Sequence, residues 1–292
     1  MTAQPPTKTD RFYTLVASCP DQVGIVARVA GLIAEHHGWI LETHHFADAD
    51  SGRYFMRLEV KADSLPFGVN EFRRLFRSVG ESLHMDWRIS DSAVRKRLIL
   101  MVSTQEHCLY DLLSRWQAGE LKADIPCIIS NHERFRSLVE WHGIPYCCIP
   151  VDGQTRPAAF DQIGEIVERE RADAIVLARY MQIIPPALCD AYPGRIINIH
   201  HSFLPSFVGA RPYHQAHARG VKLIGATCHY VTSELDAGPI IEQDAMRIDH
   251  SESVDDLVRS GKDIEKAVLA RGVRYHIEDR VLLNGLRTVV FK

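Results

Sequence analysis

A carboxamide and an imidazole two residues apart, Asn198 and His200, end a strand-like apolar run from Arg195 to Ile199, and His201 and Ser202 follow at once. A carboxylate, Asp236, lies further on in the turn Glu234-Leu235-Asp236-Ala237-Gly238-Pro239. An amide NH2 can donate to a developing oxyanion, imidazole moves protons near neutral pH, and a carboxylate can orient and charge-stabilise that imidazole. These are the parts for acyl-type transfer. On an extended strand end, residues two apart point to the same side, so Asn198 and His200 should act together while His201 faces elsewhere. Buried His and Asn also often do no more than satisfy backbone groups, so the residues alone leave catalysis and packing both open.

The elements that would position this trio read as a parallel α/β sheet. Strand-like runs recur at Leu98 to Val102, Pro126 to Ser130, Tyr146 to Pro150, Ala174 to Ala178 and Arg195 to Ile199. Helical patterns fall between them, around Tyr110 to Trp116, Arg134 to His142 and Phe160 to Arg169. Alternation of this kind predicts parallel strands with crossover helices, and such sheets bind ligands beyond the carboxyl ends of their strands. Two more strand-like stretches follow, Val221 to Val231 and Pro239 to Ile248, and then a long helical pattern from Ser253 to Leu283.

Ahead of this domain stands a smaller one. The pattern reads strand at Phe12 to Ala17, helix through Val23 to Ile33, strands at Trp39 to Phe46 and Tyr54 to Val60, helix at Asn70 to Val79 and strand at Leu83 to Ile89. That βαββαβ order makes a split sandwich with both helices on one face of an antiparallel sheet. The expected division is residues 8–90 for a regulatory or assembly domain, 91–96 for a linker and 97–292 for a catalytic domain, within an α/β fold class.

Composition narrows the function classes. The 292 residues exceed the roughly 100 to 200 of one ordinary domain. Lys plus Arg number 34 against 37 for Asp plus Glu, a balance that leaves no footprint for nucleic acid. The seven cysteines form no C-x-x-C pair, so neither a disulfide framework nor a structural zinc site is indicated. Without a signal-like start or a long apolar span, a soluble cytoplasmic protein is expected, with no membrane partner. His214 and His217 lack a third ligand at fitting spacing, so no metal is expected. His107 and Cys108 are adjacent and diverge in direction, which argues against a nucleophile pair. Arg73, Arg74 and Arg77 read as a solvated helix face.

Three segments carry a resemblance. Asn198-Ile199-His200-His201-Ser202-Phe203-Leu204-Pro205-Ser206-Phe207, Gly225-Ala226-Thr227-Cys228-His229-Tyr230-Val231 and Leu235-Asp236-Ala237-Gly238-Pro239-Ile240-Ile241 together resemble the folate-dependent formyltransferase family, from about Arg97 to the chain end. The resemblance implies that Asn198, His200 and Asp236 are catalytic. It also implies a Rossmann-like domain and 10-formyltetrahydrofolate as substrate, with no permanently bound cofactor. Family members that formylate a ribonucleotide carry a glycine-rich loop after the first strand; here Ser103-Thr104-Gln105-Glu106-His107-Cys108-Leu109 has no glycine and presents an acid. A ribonucleotide acceptor is not expected, nor transfer RNA, given the absence of basic surface.

The Ser-x-x-x-His-Cys-Leu-x-Asp-Leu-Leu start, together with Pro20-Asp21-Gln22-Val23-Gly24-Ile25, resembles the branch of the family with an N-terminal ACT domain. This implies water as the acceptor and hydrolysis to tetrahydrofolate and formate, with His200 or Asp236 handling the proton of water. Formyl transfer to a small amine or amino-sugar is the alternative. By the same resemblance Tyr180, Met181, Gln182, Ile183 and Ile184 supply the pterin-reading segment. For Met181 and Ile183 individually, core packing is the favoured expectation. His107, Gly209 and His229 join the substrate site, although His229 could equally orient a neighbouring group or simply pack. Arg211 departs from the pattern, where a neutral amide is expected, and bears on the polarity of the pocket rim. Asp21, Gln22, Gly24 and Ile25 would hold an amino-acid effector, or Asp21 could merely cap the helix and Gly24 merely permit close packing. A homodimer or homotetramer is expected.

Overall fold

The computed structural model describes residues 11–204 and 212–292. By its contacts the chain divides into two units, one of Met1–Arg95 with Glu278–Asn284 and Val289–Lys292, the other of Lys96–Ile277 with Gly285–Thr288.

In the first unit the elements run β1 (Phe12–Pro20), α1 (Ile25–Glu35), β2 (Ile40–Asp48), β3 (Arg53–Lys61), α2 (Val69–Ser82) and β4 (Asp86–Asp91), with a 3-10 turn at Ala62–Ser64. The strands form an antiparallel sheet in the order β2-β3-β1-β4. Leu15 sits opposite both Leu58 and Ile89, and these pack with Ile25, Val29, Ile33, Phe72 and Phe76 from the two helices. β4 begins later than the Leu83 expected from alternation. Leu83 is fully buried and caps α2, and His84 turns the chain at φ 52° before the strand starts.

The second face of this sheet is covered too. Val16 and Phe55 pack there with Leu282 and Phe291 from the chain end. Arg57, 1% exposed, crosses the same face and donates to the Glu278 carbonyl at 3.0 and 3.2 Å and to Glu59 at 2.5 Å. A guanidinium this deep is tolerable because carboxylates and a carbonyl take its protons. The expected second domain, 97–292, is unbroken; contacts instead place Glu278–Asn284 and Val289–Lys292 with the first unit, where Leu282 and Phe291 cover the second apolar face of its sheet.

The second unit runs β5 (Lys96–Val102), α3 (His107–Gln117), β6 (Ala123–Asp124), β7 (Ile128–Ser130), α4 (Arg136–Trp141), β8 (Tyr146–Cys148), α5 (Arg156–Arg169), β9 (Ala174–Leu177) and α6 (Pro186–Ala191). It continues with β10 (Ile196–His200), α7 (Pro212–Ala218), β11 (Leu223–Tyr230), β12 (Ile240–Arg247) and α8 (Val254–Ile277), before the short pair β13 (Val281–Asn284) and β14 (Arg287–Val290). The main sheet has the order β12-β11-β10-β9-β5-β7-β8, with β6 beside β5. From β8 to β10 neighbours are parallel, while β11 and β12 are antiparallel. Strands succeed one another outward from β5 on one side and from β9 on the other, so the order reverses between them. A crevice for ligand opens at such a point.

The long helix ends at Ile277 and not near Leu283 as the periodicity suggests. The next residues form the β13–β14 hairpin, whose turn begins at Asn284-Gly285 with Gly285 at φ 62°. The two-residue loop is Gly285-Leu286, and a glycine of positive φ at the first loop position favours the tight hairpin turn over continued helix.

Candidate functional site

At the reversal point, Ser103 follows β5 and the irregular segment from Ala178 follows β9. The Ser103 amide donates to the Arg179 carbonyl at 3.2 Å, and the Met181 amide donates to Ser103 Oγ at 2.9 Å. The segment is therefore pinned across the crevice, with Arg179 held at φ 65°. Tyr180 and Ile184 turn into the core, at 4% and 6% exposure, and burial pushes the Tyr180 phenol up to about 12. Met181 and Ile183 face outward at 56% and 59%, contrary to the expected core packing. They sit outside because Tyr180 and Ile184 are the residues of this irregular segment that pack into the core. Gln182 Oε1 and the Ile183 carbonyl accept from Arg156.

Next to β9 lies β10, whose last residue is His200. Asn198 and His200 share a face, as their spacing requires. Across the antiparallel pairing, Asn198 faces His229 and His200 faces Thr227. Asp236 arrives from the β11–β12 connection. His200 Nδ1 lies 3.3 Å from Asp236 Oδ2, and His229 Nε2 lies 3.7 Å from Asp236 Oδ1. The His200 hydrogen bond holds the Asp236 carboxyl below its ordinary range, against the opposing effect of burial. Two backbone features bring Asp236 there. Its own φ is 55°, a left-handed conformation that Asp tolerates better than most residues. Gly238 also lies so close to β11 that a Cβ would stand 1.8 Å from the Tyr230 carbonyl oxygen, which only glycine permits.

His200 Nε2 is buried and has no protein partner among the described residues. With Nδ1 turned to the carboxylate, this nitrogen is the one available to a reacting molecule. His201 does not face elsewhere: β10 has ended, and its ring stacks on that of His200 with centroids 5.0 Å apart. Arg179 donates to His201 Nδ1 at 2.7 Å. Burial, then the Arg179 and His200 charges, bring His201 down to about 4, so it is neutral near pH 7.

Beneath these rings is a buried polar group that the sequence reading missed. Glu265, on the packed face of α8 and 1% exposed, bonds His107 Nε2 at 2.8 Å and accepts from Tyr213 at 2.8 Å; Arg179 Nε lies 3.5 Å away. Burial opposes its charge, but the His107 bond and Arg179 keep its carboxyl below the ordinary value. An acid among Ile264, Val268 and Leu269 was the signal that could have found it. The ligand atoms of His107, Cys108 and Glu265 lie within 4.8 Å of one another, yet Glu265 is already committed to proton donors. Burial also drives the Cys108 thiol well up, which suits neither a thiolate ligand nor a nucleophile. His214 and His217 are exposed on α7.

The chain leaving His200 is clamped from β11 and β12. Thr227 Oγ1 donates to the Ser202 carbonyl at 2.9 Å and accepts from the Leu204 amide at 3.1 Å, while Gln243 Nε2 donates to the Leu204 carbonyl at 3.0 Å. Gly209 and Arg211, expected at the pocket, lie outside the described residues. In the first unit Asp21 and Val23 are exposed, Gln22 Nε2 donates to the Leu83 carbonyl at 3.3 Å, and Ile25 is buried. α1 has no side-chain cap, so Asp21 does not fill that role, and Gly24 has open space around it but φ 90°. Glycine is needed there for the backbone angle and not for close packing.

Residues 96–273 match the family model described as formyl transferase. The chain is 45% identical over 278 residues to a formyltetrahydrofolate deformylase of Synechocystis sp., covering 95% of this chain and 98% of that one. A crystal structure of a formyltetrahydrofolate deformylase from Pseudomonas syringae is 57% identical with a TM-score of 0.96, covering 98% of this chain and 96% of that one. A glycinamide ribonucleotide transformylase from Symbiobacterium toebii is similar at 28% identity and a TM-score of 0.63, over 68% of this chain and 95% of its own.

Proposed function

The chain belongs to the formyl transferase family and, within it, to the formyltetrahydrofolate deformylases, and on that premise we propose that Asn198, His200 and Asp236 are the groups with which it hydrolyses 10-formyltetrahydrofolate to tetrahydrofolate and formate. The observation that carries this assignment is a partnerless, buried His200 Nε2 on an imidazole whose other nitrogen is turned to Asp236, beside Asn198 on the same strand face.

The steps follow from that geometry. Asp236 accepts from His200 Nδ1, which leaves a lone pair on Nε2. Nε2 takes a proton from water as the water oxygen attacks the formyl carbon, and an Asn198 Nδ2 hydrogen donates to the resulting oxyanion. The tetrahedral centre collapses, the bond from carbon to N10 breaks, and the His200 proton passes to N10. Formic acid leaves and ionises. Asp236, already engaged by His200 and held ionised, is the poorer proton acceptor, so His200 is the base. The outward faces of Met181 and Ile183 suit the pteridine and aryl parts of the substrate, while Tyr180 and Ile184 hold the segment from the core. If Asn198→Ala lowers kcat about a hundredfold or more with a small change in KM, the oxyanion role stands; full turnover removes it.

The first unit we read as an ACT-like module binding an amino acid at Asp21 to Ile25. The exposed Asp21-Gln22-Val23 turn leading into a left-handed Gly24 with open space beside it supports this. The positions of β2 and β4 at the edges of the sheet, among the described residues, support pairing into a homodimer or homotetramer. Titration calorimetry on the full chain across the common amino acids, with light scattering on the same sample, is the check. No heat of binding removes the effector, and a monomeric mass removes the assembly.

A further inference from the structure

Asn198 can serve an oxyanion only if its amide nitrogen, and not its oxygen, is turned toward the substrate, and a carboxamide has no intrinsic preference between the two. We infer that His229 is the residue that sets this orientation: its ring, locked as the Nδ1–H tautomer, offers the Nε2 lone pair to one hydrogen of Asn198 Nδ2 and so commits the other hydrogen to the site. The inference rests on the catalytic reading of Asn198 given above.

Three contacts build it. His229 Nδ1 lies 2.9 Å from the Tyr230 carbonyl, which only accepts, so Nδ1 carries a proton. Nε2 lies 3.2 Å from Asn198 Nδ2, and the two residues are direct cross-strand neighbours on β10 and β11. The ring is 2% exposed, and burial lowers its affinity for a second proton, leaving Nε2 as an acceptor. An acceptor nitrogen cannot face the carboxamide oxygen without lone pairs in opposition, so the amide is held with nitrogen toward His229. The Tyr230 carbonyl is itself fixed, since its own strand is tied by the Tyr230 amide to the Pro239 carbonyl at 2.9 Å and Gly238 lies against it. Asp236 Oδ1, 3.7 Å from Nε2, is the nearest charge and stands beyond hydrogen-bond reach. His229 was expected to touch substrate; buried behind Asn198, it acts through that residue, which makes it a positioning residue.

A double-mutant cycle on the full-length enzyme tests this, with formate release as the readout. His229→Leu should lower kcat about tenfold or more while KM for 10-formyltetrahydrofolate stays within about twofold, and the same change made in Asn198→Ala should cost almost nothing further. His229→Gln, whose amide oxygen can accept from Asn198, should recover part of the loss. Equal losses in both backgrounds, or a rise in KM at constant kcat, would overturn the inference. Full activity in Asn198→Ala alone would instead overturn the catalytic reading, so the two failures are told apart. Should His229→Leu not fold, nitrogen NMR of the histidine rings in the wild-type enzyme decides: a neutral Nδ1–H ring at His229 supports the inference, and an Nε2–H or doubly protonated ring defeats it.

Discussion

A catalytic imidazole works at pH 7 only if its neighbours set its charge, and the adjacent His200 and His201 are treated differently. His200 faces a carboxylate, while His201 faces a guanidinium and stacks on its neighbour. Burial first, and then the neighbouring Arg179 and His200, keep His201 neutral near pH 7. The consequence for stability has a definite sign. His201 binds its proton in the unfolded chain below about 6.5 but in the folded chain only below about 4, so between those values the unfolded state holds more protons and stability falls as pH falls. Buried His229 adds in the same direction. Urea midpoints measured from pH 7 to pH 4 should decline, and His201→Asn should flatten that slope. An unchanged slope would mean that His201 titrates normally.

The strands and helices that deliver these residues differ in how far the sequence discloses them. β10 was legible because a short apolar run ended in polar residues, and the spacing of Asn198 and His200 was enough to put them on one face. His201 was misread because alternation holds only inside a strand and the strand stops one residue earlier. The cross-strand pairing of Asn198 with His229 could not be read, since it depends on the register of β11, which single-sequence periodicity leaves free. Thr227 and Gln243 escaped for the same reason: each looks like an ordinary strand residue until Ser202 and Leu204 are brought against it. Glu265 was hidden by its helix, where an acid on an apolar face reads as noise unless its three partners from other elements are known. Met181 and Ile183 failed the other way, because apolar residues in a ligand-reading segment look like core.

For the whole molecule, order along the chain and membership of a folded unit are different things. The tail is the last part in sequence, yet Leu282 and Phe291 complete a sheet begun at Phe12, and Asp279 accepts from Ser90 at 2.6 Å and from Arg88 at 3.1 Å. Phe291→Ala, at 8% exposure and stacked on His44, should cost about 3 kcal/mol of stability in denaturant unfolding, with no loss beyond small changes in kcat. Removal of the residues after Ile277 should cost more, since Val16 and Phe55 would be bared together with the buried Arg57. An unchanged midpoint in both variants would contradict a covering role for the tail. Among the described residues, no helix is long and apolar enough to cross a membrane. The central claim is that a carboxamide, an imidazole and a carboxylate act as one unit on water, and kinetics of the three single variants Asn198→Ala, His200→Ala and Asp236→Ala beside the triple variant tests it most directly. In an amine-free buffer the wild type should release one formate per tetrahydrofolate formed. Each single variant should fall by about a hundredfold or more, and the triple variant should fall little below the worst single one, as groups acting together do. Losses that multiply across the three, or formate that fails to appear until an amine is added, would contradict it.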